Sequence, residues 1–478
     1  MQGLSPLYTD LYQLTMSQAY FLTGRHRQKA VFDLHYRSNP FKGGYLIATG
    51  MREVAELLSE FRFSFDDLSY LKKQGFQKSF LDYLKTFRFR LDMEAVAEGE
   101  VVFPHEPIVR VEGSLVDCQL AETILINMTH FSSLVATKAS RIVQAARGRS
   151  VLDFGLRRAQ GLAGISSARA AYIGGVDGTS NAYSAKRYGI PVFGTQAHSW
   201  IQAVRDEKKS FLEFSRIHGR DTVLLIDTYS TLESGMPNLL AALKTLRREG
   251  IEIKGVRIDS GDLAYLSKRV RAQLDQSGFP NVKIFVSGSL DEYIIESLLS
   301  QDAKIDGVGV GTKLSTSYDE PALDMVYKLA SIDGHSEIKI SDSLTKMNEP
   351  GRKKVHRYVS HSGEFLLDAI LLASEKSITE VYHPFYQLAS TSVKGLSWES
   401  LLKPLMRSGR VVSEDVSVSS ARMYAASRLA LLPPEHKRFY YPHIYRVGVS
   451  GKLFQLKEKL IAQRLGKKEK LEKSHAVK

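Results

Sequence analysis

The middle of the chain alternates between short apolar runs and amphipathic stretches. Apolar, β-branched runs recur as TVLLIDTY, IKGVRIDSGD, VKIFVSGS and IDGVGVGT. Between them lie helical patterns such as GMPNLLAALKTLRREG, LAYLSKRVRAQLDQSG and DEYIIESLLSQD. This alternation is typical of βα units around a parallel sheet, and continuous apolar strands indicate burial on both faces. We therefore predict an α/β barrel in this region, with units of roughly 30 residues.

The segments on either side of the barrel show mixed patterns. LYTDLYQLTMSQAYFLTG has helical periodicity and ends in a glycine, whereas KAVFDLHYR alternates as a strand does. Another α+β region begins at KISDSLTKMNEPGRKKVHRYV. The predicted fold class is α/β, with an N-terminal α/β domain over 1–130 and the barrel over 131–345. A C-terminal region over 346–450 is packed around it, and a basic helical tail follows over 451–478.

Length and cysteine content narrow the class of protein. The 478 residues, 43% of them hydrophobic, suffice for one large core and a second domain. The single cysteine, Cys118, excludes an internal disulfide and a cysteine-based zinc site, and it favours a reducing, cytoplasmic location. The N-terminus lacks the pattern of a signal peptide, and no apolar run has the length of a membrane span.

The formal net charge of +13 is compatible with nucleic acid, an acidic membrane or small anions as partners. Much of the excess lies in GKLFQLKEKLIAQRLGKKEKLEKSHAVK, where Lys and Glu alternate with Leu and Ile as on a solvated amphipathic helix. Since no basic patch is interleaved with aromatic residues, we expect neither nucleic acid nor a membrane as partner. The remaining excess suits a phosphorylated small molecule.

Polar residues and glycines follow the predicted strands of the barrel. In a parallel barrel the carboxyl ends of the strands meet at one rim, where ligands bind. The residues in question are Asp227, Arg257, Asp259, Ser287, Gly288, Gly311 and Thr312.

Each of the motifs at this rim leaves two interpretations open. In DFGLRRAQG, Phe154 and Arg157 either bind a planar anion or are a core ring beside a surface arginine. In RIDSGD, Arg257 and Asp259 lie two apart and so face the same side of a strand, where they hold a sugar phosphate with its magnesium or simply form an ion pair. GVGVGT lacks the lysine of a Walker loop and does not match a dinucleotide fingerprint.

Two further motifs place small polar groups at helix starts. In VDGTSNAYSAKRYG, Thr179 or Ser180 either caps the helix or binds an anion. In GTQAHSW, His198 lies at a loop-to-helix junction with no cysteine or second histidine nearby, so a metal site is not expected there. It is either a hydrogen-bonded core histidine or a reactive group.

The order of these motifs resembles that of a known family. TDLYQLTM, DFGLRRAQG, DGTSN, GTQAHSW, IDTY, VRIDSGD, VSGSLDE, GVGT, YKLA and PGRKKVHR look like the successive motifs of nicotinate phosphoribosyltransferases, from about Tyr8 to about Arg357. The resemblance implies an irregular α/β barrel joined to an N-terminal α/β domain. It also implies the first step of NAD synthesis from nicotinic acid, in which nicotinate, phosphoribosyl pyrophosphate and ATP give nicotinate mononucleotide, pyrophosphate, ADP and phosphate.

The resemblance further implies roles for the residues at the reacting centre. His198 would be phosphorylated by ATP, the co-substrate, and Asp227 and Asp259 would bind ribose hydroxyls or Mg²⁺. Phe154 would stack on one face of the pyridine. Tyr12 would stack on the other face from a partner subunit, which implies a homodimer with shared active sites.

Other positions would bind the substrates. Thr195, Arg257 and Arg157 would contact the nicotinate carboxylate or the phosphates, while Gly288, Gly311 and Thr312 would let phosphate approach backbone amides. The nicotinamide-using relatives carry an acidic residue in a GTD version of the GTSN motif. Here Thr179 is followed by Ser180, whose hydroxyl donates to a carboxylate, so the acid is favoured over the amide.

The alternatives are a nicotinamide or quinolinate phosphoribosyltransferase on the same architecture, or an inactive barrel that binds phosphosugars. The set of ligand residues argues against the inactive barrel.

Overall fold

A computed structural model describes residues 4–340, 347–384 and 390–475, with side chains described as far as residue 465. The chain divides into two units. The first unit comprises Met1–Leu134, Ala322–Val416 and Tyr424–Lys478, and the second comprises Val135–Pro321 and Ser417–Met423. The domain ranges drawn from the sequence are a finer division and stay a prediction.

The helices of the described residues are α1 (Leu11–Leu22), α2 (Met51–Glu60), α3 (Phe65–Lys73), α4 (Lys78–Lys85), α5 (Leu115–Ala146), α6 (Ala163–Ile173), α7 (Ala182–Tyr188), α8 (His198–Val204), α9 (Glu207–His218), α10 (Met236–Arg248), α11 (Leu263–Gln276), α12 (Glu292–Ser300), α13 (Thr312–Ser315), α14 (Val418–Leu431) and α15 (Gly451–His475). None of these helices is both long and apolar enough to cross a membrane.

The strands of the described residues are β1 (Lys29–Tyr36), β2 (Leu46–Ala48), β3 (Asp92–Ala95), β4 (Glu100–Val102), β5 (Val109–Ser114), β6 (Ser150–Asp153), β7 (Gly178–Thr179), β8 (Val223–Leu225), β9 (Gly255–Ile258), β10 (Lys283–Ser287), β11 (Gly307–Val310), β12 (Met325–Ile332), β13 (His335–Ser336), β14 (Lys353–Val359), β15 (Phe365–Leu372), β16 (Glu380–Tyr382), β17 (Ser390–Ser392), β18 (Ser397–Ser400), β19 (Lys403–Arg407), β20 (Arg410–Val411) and β21 (Val447–Ser450).

The first unit is built on two large sheets. One has the order β13-β12-β1-β5-β3-β19-β20 with antiparallel pairs, and the other has the order β17-β16-β21-β15-β14-β18. The predicted strand KAVFDLHYR is β1, which is buried at every position after Lys29. The predicted first helix is α1, after which Gly24 adopts a left-handed backbone with φ of 74°. The core of this unit includes Leu34, Phe80 and Val109.

The second unit contains a parallel six-stranded sheet in the order β7-β6-β11-β10-β9-β8. The helices α10, α11 and α12 connect β8 to β9, β9 to β10 and β10 to β11. Strand β11 is buried at all four positions, as a sheet covered on both faces requires. The α/β prediction is therefore confirmed, and the parallel sheet is a half-barrel.

Two acidic caps explain why helices start directly after the strand-end motifs. The carboxylate of Asp262, the last residue of RIDSGD, accepts the Tyr265 N–H at 2.9 Å at the start of α11. Asp291 accepts the Ile294 N–H at 2.8 Å at the start of α12. An N-cap carboxylate satisfies a helix donor that has no partner within the helix, so each motif ends its loop by starting a helix.

The predicted start of the C-terminal region and the end of the predicted tail lie outside the described residues. Residues 341–346, near its predicted start, and 476–478, at the end of the predicted tail, are not among them. Helix α15 starts at Gly451, the first residue of the predicted tail.

Candidate active site

The residues predicted to lie at a rim are found at the carboxyl ends of the parallel strands of the second unit. Phe154 follows β6, and Asp227 lies two residues after β8. Arg257 lies within β9, Asp259 follows that strand, and Gly288 follows β10. Because the strands are parallel, these residues share one edge of the sheet.

Arg257 donates hydrogen bonds to residues in three separate segments: the end of β10, the loop before α8 and the turn after β9. Its Nε donates to the Ser287 hydroxyl at 2.7 Å, and its Nη1 donates to the Thr195 hydroxyl at 2.8 Å. Its Nη2 donates to a carboxylate oxygen of Asp259 at 2.7 Å. The ion pair left open by the spacing in RIDSGD is therefore present, with the Arg257 side chain 17% exposed.

This arrangement leaves part of the guanidinium available. A guanidinium carries five N–H groups, and three of those of Arg257 are used. One N–H on each terminal nitrogen has no partner among the described residues. Two such donors match the two oxygens of a carboxylate or phosphate.

Asp259 is held in its ionised form. Burial by itself would raise the pKa of the Asp259 carboxyl. Hydrogen bonds from Ser287 and Arg257, together with the positive charge of Arg257, outweigh burial and bring the pKa below its usual value. The side chain stays a carboxylate at neutral pH.

Asp227 is the second carboxylate of the rim. Its Oδ2 accepts the backbone N–H of Asp259 at 2.9 Å and the hydroxyl of Ser260 at 2.6 Å. Its Oδ1 is buried and has no hydrogen-bond partner among the described residues. A buried carboxylate oxygen without a partner is costly, so this atom is a candidate ligand for a cation or a hydroxyl.

His198 is the first residue of α8 and is half-buried. Its Nδ1 lies 3.1 Å from the Thr228 hydroxyl, directly after Asp227 in the chain. Within the described structure its Nε2 has no hydrogen-bond partner. The histidine is therefore hydrogen-bonded on one ring nitrogen and available on the other.

Phe154 lies beside the guanidinium. The centre of the Arg257 guanidinium is 5.5 Å from the centroid of the Phe154 ring. A Cβ at Gly309 would come within 2.4 Å of that ring, so the ring can lie here only because residue 309 has no side chain. The Phe154 N–H donates to the Val310 carbonyl at 2.8 Å, next to Gly311.

Gly288 is a position that only glycine fits. Its φ is 101°, in the left-handed region, and a Cβ there would lie 2.5 Å from the Asp259 carbonyl oxygen. Thr312, another predicted phosphate residue, is the first residue of the short helix α13 and is half-buried.

The helix cap proposed for Thr179 or Ser180 is wrong. Asn181 caps α7, since its side chain accepts the Ser184 N–H at 3.1 Å. Thr179 is buried and donates to an Asp153 carboxylate oxygen at 2.7 Å. The Ser180 side chain is exposed and forms no hydrogen bond among the described residues, so its hydroxyl is available for a ligand.

Arg157 and Tyr12 are also predicted site residues. Arg157 is exposed on the turn after β6 and forms no hydrogen bond with the described residues. Tyr12 belongs to the first unit, where its phenol donates to Glu122 at 3.2 Å. Burial, followed by the charge of Glu122, raises the pKa of Tyr12 to about 12, so the phenol stays neutral.

Thr228, Ser260 and Gly309 are not among the site residues predicted from the sequence. Thr228 and Ser260 directly follow Asp227 and Asp259, so the signal that could have found them is a hydroxyl next to each strand-end carboxylate. No such signal exists for Gly309, because its role depends on where the Phe154 ring lies.

Three family models match the chain. Residues 7–130 match the nicotinate phosphoribosyltransferase N-terminal domain, and residues 149–364 match the nicotinate phosphoribosyltransferase family. Residues 352–457 match the nicotinate phosphoribosyltransferase C-terminal domain. Together with the half-barrel and its polar rim, these matches define an enzyme of the α/β-barrel class.

Relatives cover nearly the whole chain. A nicotinate phosphoribosyltransferase of Bacillus subtilis (strain 168) is 40% identical over 455 residues, which are 93% of this chain and 92% of the relative. One of Caenorhabditis elegans is 34% identical and covers 95% of this chain and 92% of its own. The crystal structure of human nicotinic acid phosphoribosyltransferase superposes with a TM-score of 0.84 at 28% identity, covering 95% of this chain and 100% of that one. The chain belongs to the nicotinate phosphoribosyltransferase family and is an enzyme with the activity for which that family is named.

Proposed function

We propose that the rim of the second unit transfers the phosphoribosyl group of phosphoribosyl pyrophosphate to the ring nitrogen of nicotinate. The observation that carries this assignment is the pairing of Arg257 with Phe154, whose ring centroid is 5.5 Å from the guanidinium. A planar anion fits this pair, because the ring offers a stacking face and the guanidinium offers two free N–H groups. Thr195, held by Arg257, adds a hydroxyl at the same place.

Catalysis of this reaction requires that the two substrates be held in line and that the developing charges be stabilised, rather than that a strong base remove a proton. The bond from the anomeric carbon to pyrophosphate breaks, its electron pair leaves with pyrophosphate, and the pyridine nitrogen supplies the pair for the new bond. Positive charge develops on the sugar as the bond breaks, as in glycoside cleavage. The carboxylates of Asp227 and Asp259 can stabilise that charge or hold the ribose hydroxyls, and Arg257 can offset negative charge on the substrates.

Mg²⁺ fits the carboxylates at this rim. Among the described residues, no group of three or more His, Cys, Asp or Glu side chains is placed to hold a metal ion by itself. Magnesium, however, is usually held by one or two carboxylates together with substrate phosphates. The unpartnered Oδ1 of Asp227, with Asp259 beside it, would hold the ion, which when bound supplies positive charge for the pyrophosphate.

His198 is the candidate for an ATP-dependent step. In the tautomer whose Nδ1 proton is donated to the Thr228 hydroxyl, the Nε2 lone pair is free to act as a nucleophile. Attack on the γ-phosphorus forms an N–P bond and releases ADP, and water later cleaves that bond to give phosphate. The Nδ1 proton stays on the ring throughout. Coupling of this kind is the behaviour that the family resemblance implies.

Tyr12 supports a homodimer with shared sites. It is 48% exposed on α1, so its ring is available to a second copy of the chain. The resemblance puts such a tyrosine on the second face of the pyridine, contributed by the partner subunit. Nucleic acid is not expected as a partner, and the cytoplasmic location stays a prediction.

Ser180 supports nicotinate over nicotinamide as substrate. Its exposed hydroxyl is free to donate to a carboxylate, and no acidic side chain stands in its place. Pyrophosphate release with nicotinate, nicotinamide or quinolinate, each with and without ATP, tests the assignment. We expect turnover with nicotinate, increased by ATP. Preference for either other substrate would overturn the assignment, and no turnover with any of them would favour an inactive phosphosugar-binding barrel.

A further inference from the structure

A cavity of about 610 Å³ extends through the half-barrel of the second unit, from the rim to the opposite edge of the sheet. At one end it is lined by Phe154, Thr195 and Arg257. At the other end it is lined by residues at the amino ends of strands, among them Arg149, Lys254 and Lys283. We call this second opening the amino-end mouth. No step assigned to the rim uses it.

The amino-end mouth has an excess of positive charge. Lys254 is half-buried and forms no ion pair among the described residues, and its amine lies 4.8 Å from the centroid of the Phe193 ring. Arg147 is exposed and also forms no ion pair with them. Arg149 donates through Nε to the Ile305 carbonyl at 3.0 Å, which leaves its charge without a carboxylate.

The carboxylates at this mouth do not balance these cations. Asp306 lies 3.3 Å from Lys283 and also accepts the Ile284 N–H at 2.8 Å, so one carboxylate offsets one lysine. Asp221 is the other carboxylate that lines the cavity. Four cationic residues, Arg147, Arg149, Lys254 and Lys283, therefore line this mouth together with two carboxylates, which leaves a net positive charge there.

The walls between the two ends are apolar and aromatic. Leu152, Phe285 and Ile305 line them, with Phe193 beside Lys254. Small-molecule sites typically combine roughly 300–1,000 Å³ of largely apolar space with a few polar groups that orient the ligand. An anion with a flat apolar body matches both the walls and the cations.

We propose that the amino-end mouth is a second binding site, specific for small aromatic carboxylates, with Lys254 as its principal cation. Nicotinate is the compound of this class that the proposed function brings to the protein, and only that choice of ligand rests on the proposed function. The carboxylate would lie beside the lysine amine and the ring would lie against Phe193.

A single-thiol variant tests occupancy without measuring activity. Ser150 lines the cavity at the start of β6, and the native Cys118 is fully buried, which raises the pKa of its thiol. Ser150→Cys should therefore carry the reactive thiol. The measurement is the rate of labelling by a small thiosulfonate, with increasing concentrations of nicotinate, benzoate or neutral nicotinamide.

We expect nicotinate and benzoate to slow labelling several-fold and nicotinamide to have little effect. Adding Lys254→Gln should weaken this protection about tenfold, the loss of one charge-assisted hydrogen bond. The matched control is Lys304→Gln, which removes a lysine paired with Asp302 that does not line the cavity and should leave protection unchanged. Equal protection in Lys254→Gln and Lys304→Gln would overturn the proposal.

The variant Arg257→Gln distinguishes binding at the amino-end mouth from binding at the rim, because it removes the cation that would bind an anion at the rim. Protection that persists in this background belongs to the amino-end mouth, and loss of protection there overturns the proposal. Calorimetric titration of benzoate into the separate variants Arg257→Gln and Lys254→Gln tests the same point without the introduced thiol. We expect binding to persist in the first and to weaken in the second. Turnover assays address the proposed function separately. Protection without turnover would contradict the proposed function and support the second binding site. Turnover without protection would support the proposed function and overturn the second binding site.

Discussion

The guanidinium of Arg257 donates a hydrogen bond of 2.8 Å to the hydroxyl of Thr195, although the two residues are 62 positions apart in the chain. Thr195 belongs to the loop that leads to His198, and Arg257 belongs to β9. The bond ties the loop with the candidate nucleophile to the strand that carries the candidate anion site.

Arg257→Lys should reduce kcat/KM for nicotinate at least about tenfold. A lysine amine cannot reach Ser287, Thr195 and Asp259 in the fork geometry and also bind an anion, and each charge-assisted hydrogen bond contributes about 1.5–3 kcal/mol. The control is Arg216→Lys, at an exposed ion pair with Glu249. Steady-state kinetics of the two variants check this. Unchanged kinetics in Arg257→Lys would remove Arg257 from the substrate site.

Incubation with γ-labelled ATP should leave an acid-labile, alkali-stable label on the native chain that His198→Ala abolishes. Thr228→Val should slow labelling, since the Nδ1 proton then lacks its acceptor, while Thr228→Ser should label as the native chain does. A quenched time course measures each rate. Equal labelling of His198→Ala would show that phosphorylation occurs elsewhere.

Ser180→Asp should lower kcat/KM for nicotinate at least about tenfold, equivalent to roughly 1.4 kcal/mol. A carboxylate here repels the substrate carboxylate, whereas it can accept from the amide of nicotinamide. Ser180→Thr keeps the hydroxyl and is the control. The assay is kcat/KM for both substrates. If the ratio of acid to amide does not change, Ser180 takes no part in substrate choice and Arg257 is the better source of it.

Mixing Tyr12→Ala with His198→Ala should restore activity if sites are shared. Each variant alone should be weakly active, but a heterodimer contains one site with both native residues. Tyr12→Phe keeps the ring and should retain most activity, because stacking needs the ring and not the phenol. Activity is measured after subunit exchange has been confirmed by mass. No rescue would indicate that each site is built from one chain.

Arg357→Met should destabilise the first unit by about 3–5 kcal/mol. Arg357 is fully buried and donates hydrogen bonds of 2.8 and 2.6 Å to Asp368 and of 2.7 Å to Glu100. Its loss leaves the buried carboxylate of Asp368 without its cation, whereas Glu100 keeps an ion pair of 2.8 Å with Arg428. Arg352→Met removes a 48% exposed arginine paired with Glu112 and should cost less than about 1 kcal/mol. Denaturant unfolding compares the two. Similar losses would show that the buried network contributes little.

The strand-end motifs show how far sequence reasoning reaches. A spacing of two predicted that Arg257 and Asp259 face the same side, and the ion pair of 2.7 Å confirms it, because alternation along an extended chain is local geometry. The cap of α7 is neither of the two residues that the sequence offers for it, Thr179 and Ser180, because Asn181, which follows them, can cap a helix equally well. Burial of Thr179 against Asp153 leaves the cap to Asn181.

Periodicity, strand-end polar residues and motif order determined the α/β class, the parallel sheet and the residues of the rim. These properties depend on neighbours in the chain, so they can be read along it. The tertiary structure alone decided which distant groups meet: the Thr228 hydroxyl and the His198 ring, Gly309 and the Phe154 ring, and the Lys254 amine and the Phe193 ring. Such contacts depend on how strands far apart in sequence align, and a hydroxyl, a glycine or a lysine carries no local signal of its eventual neighbour.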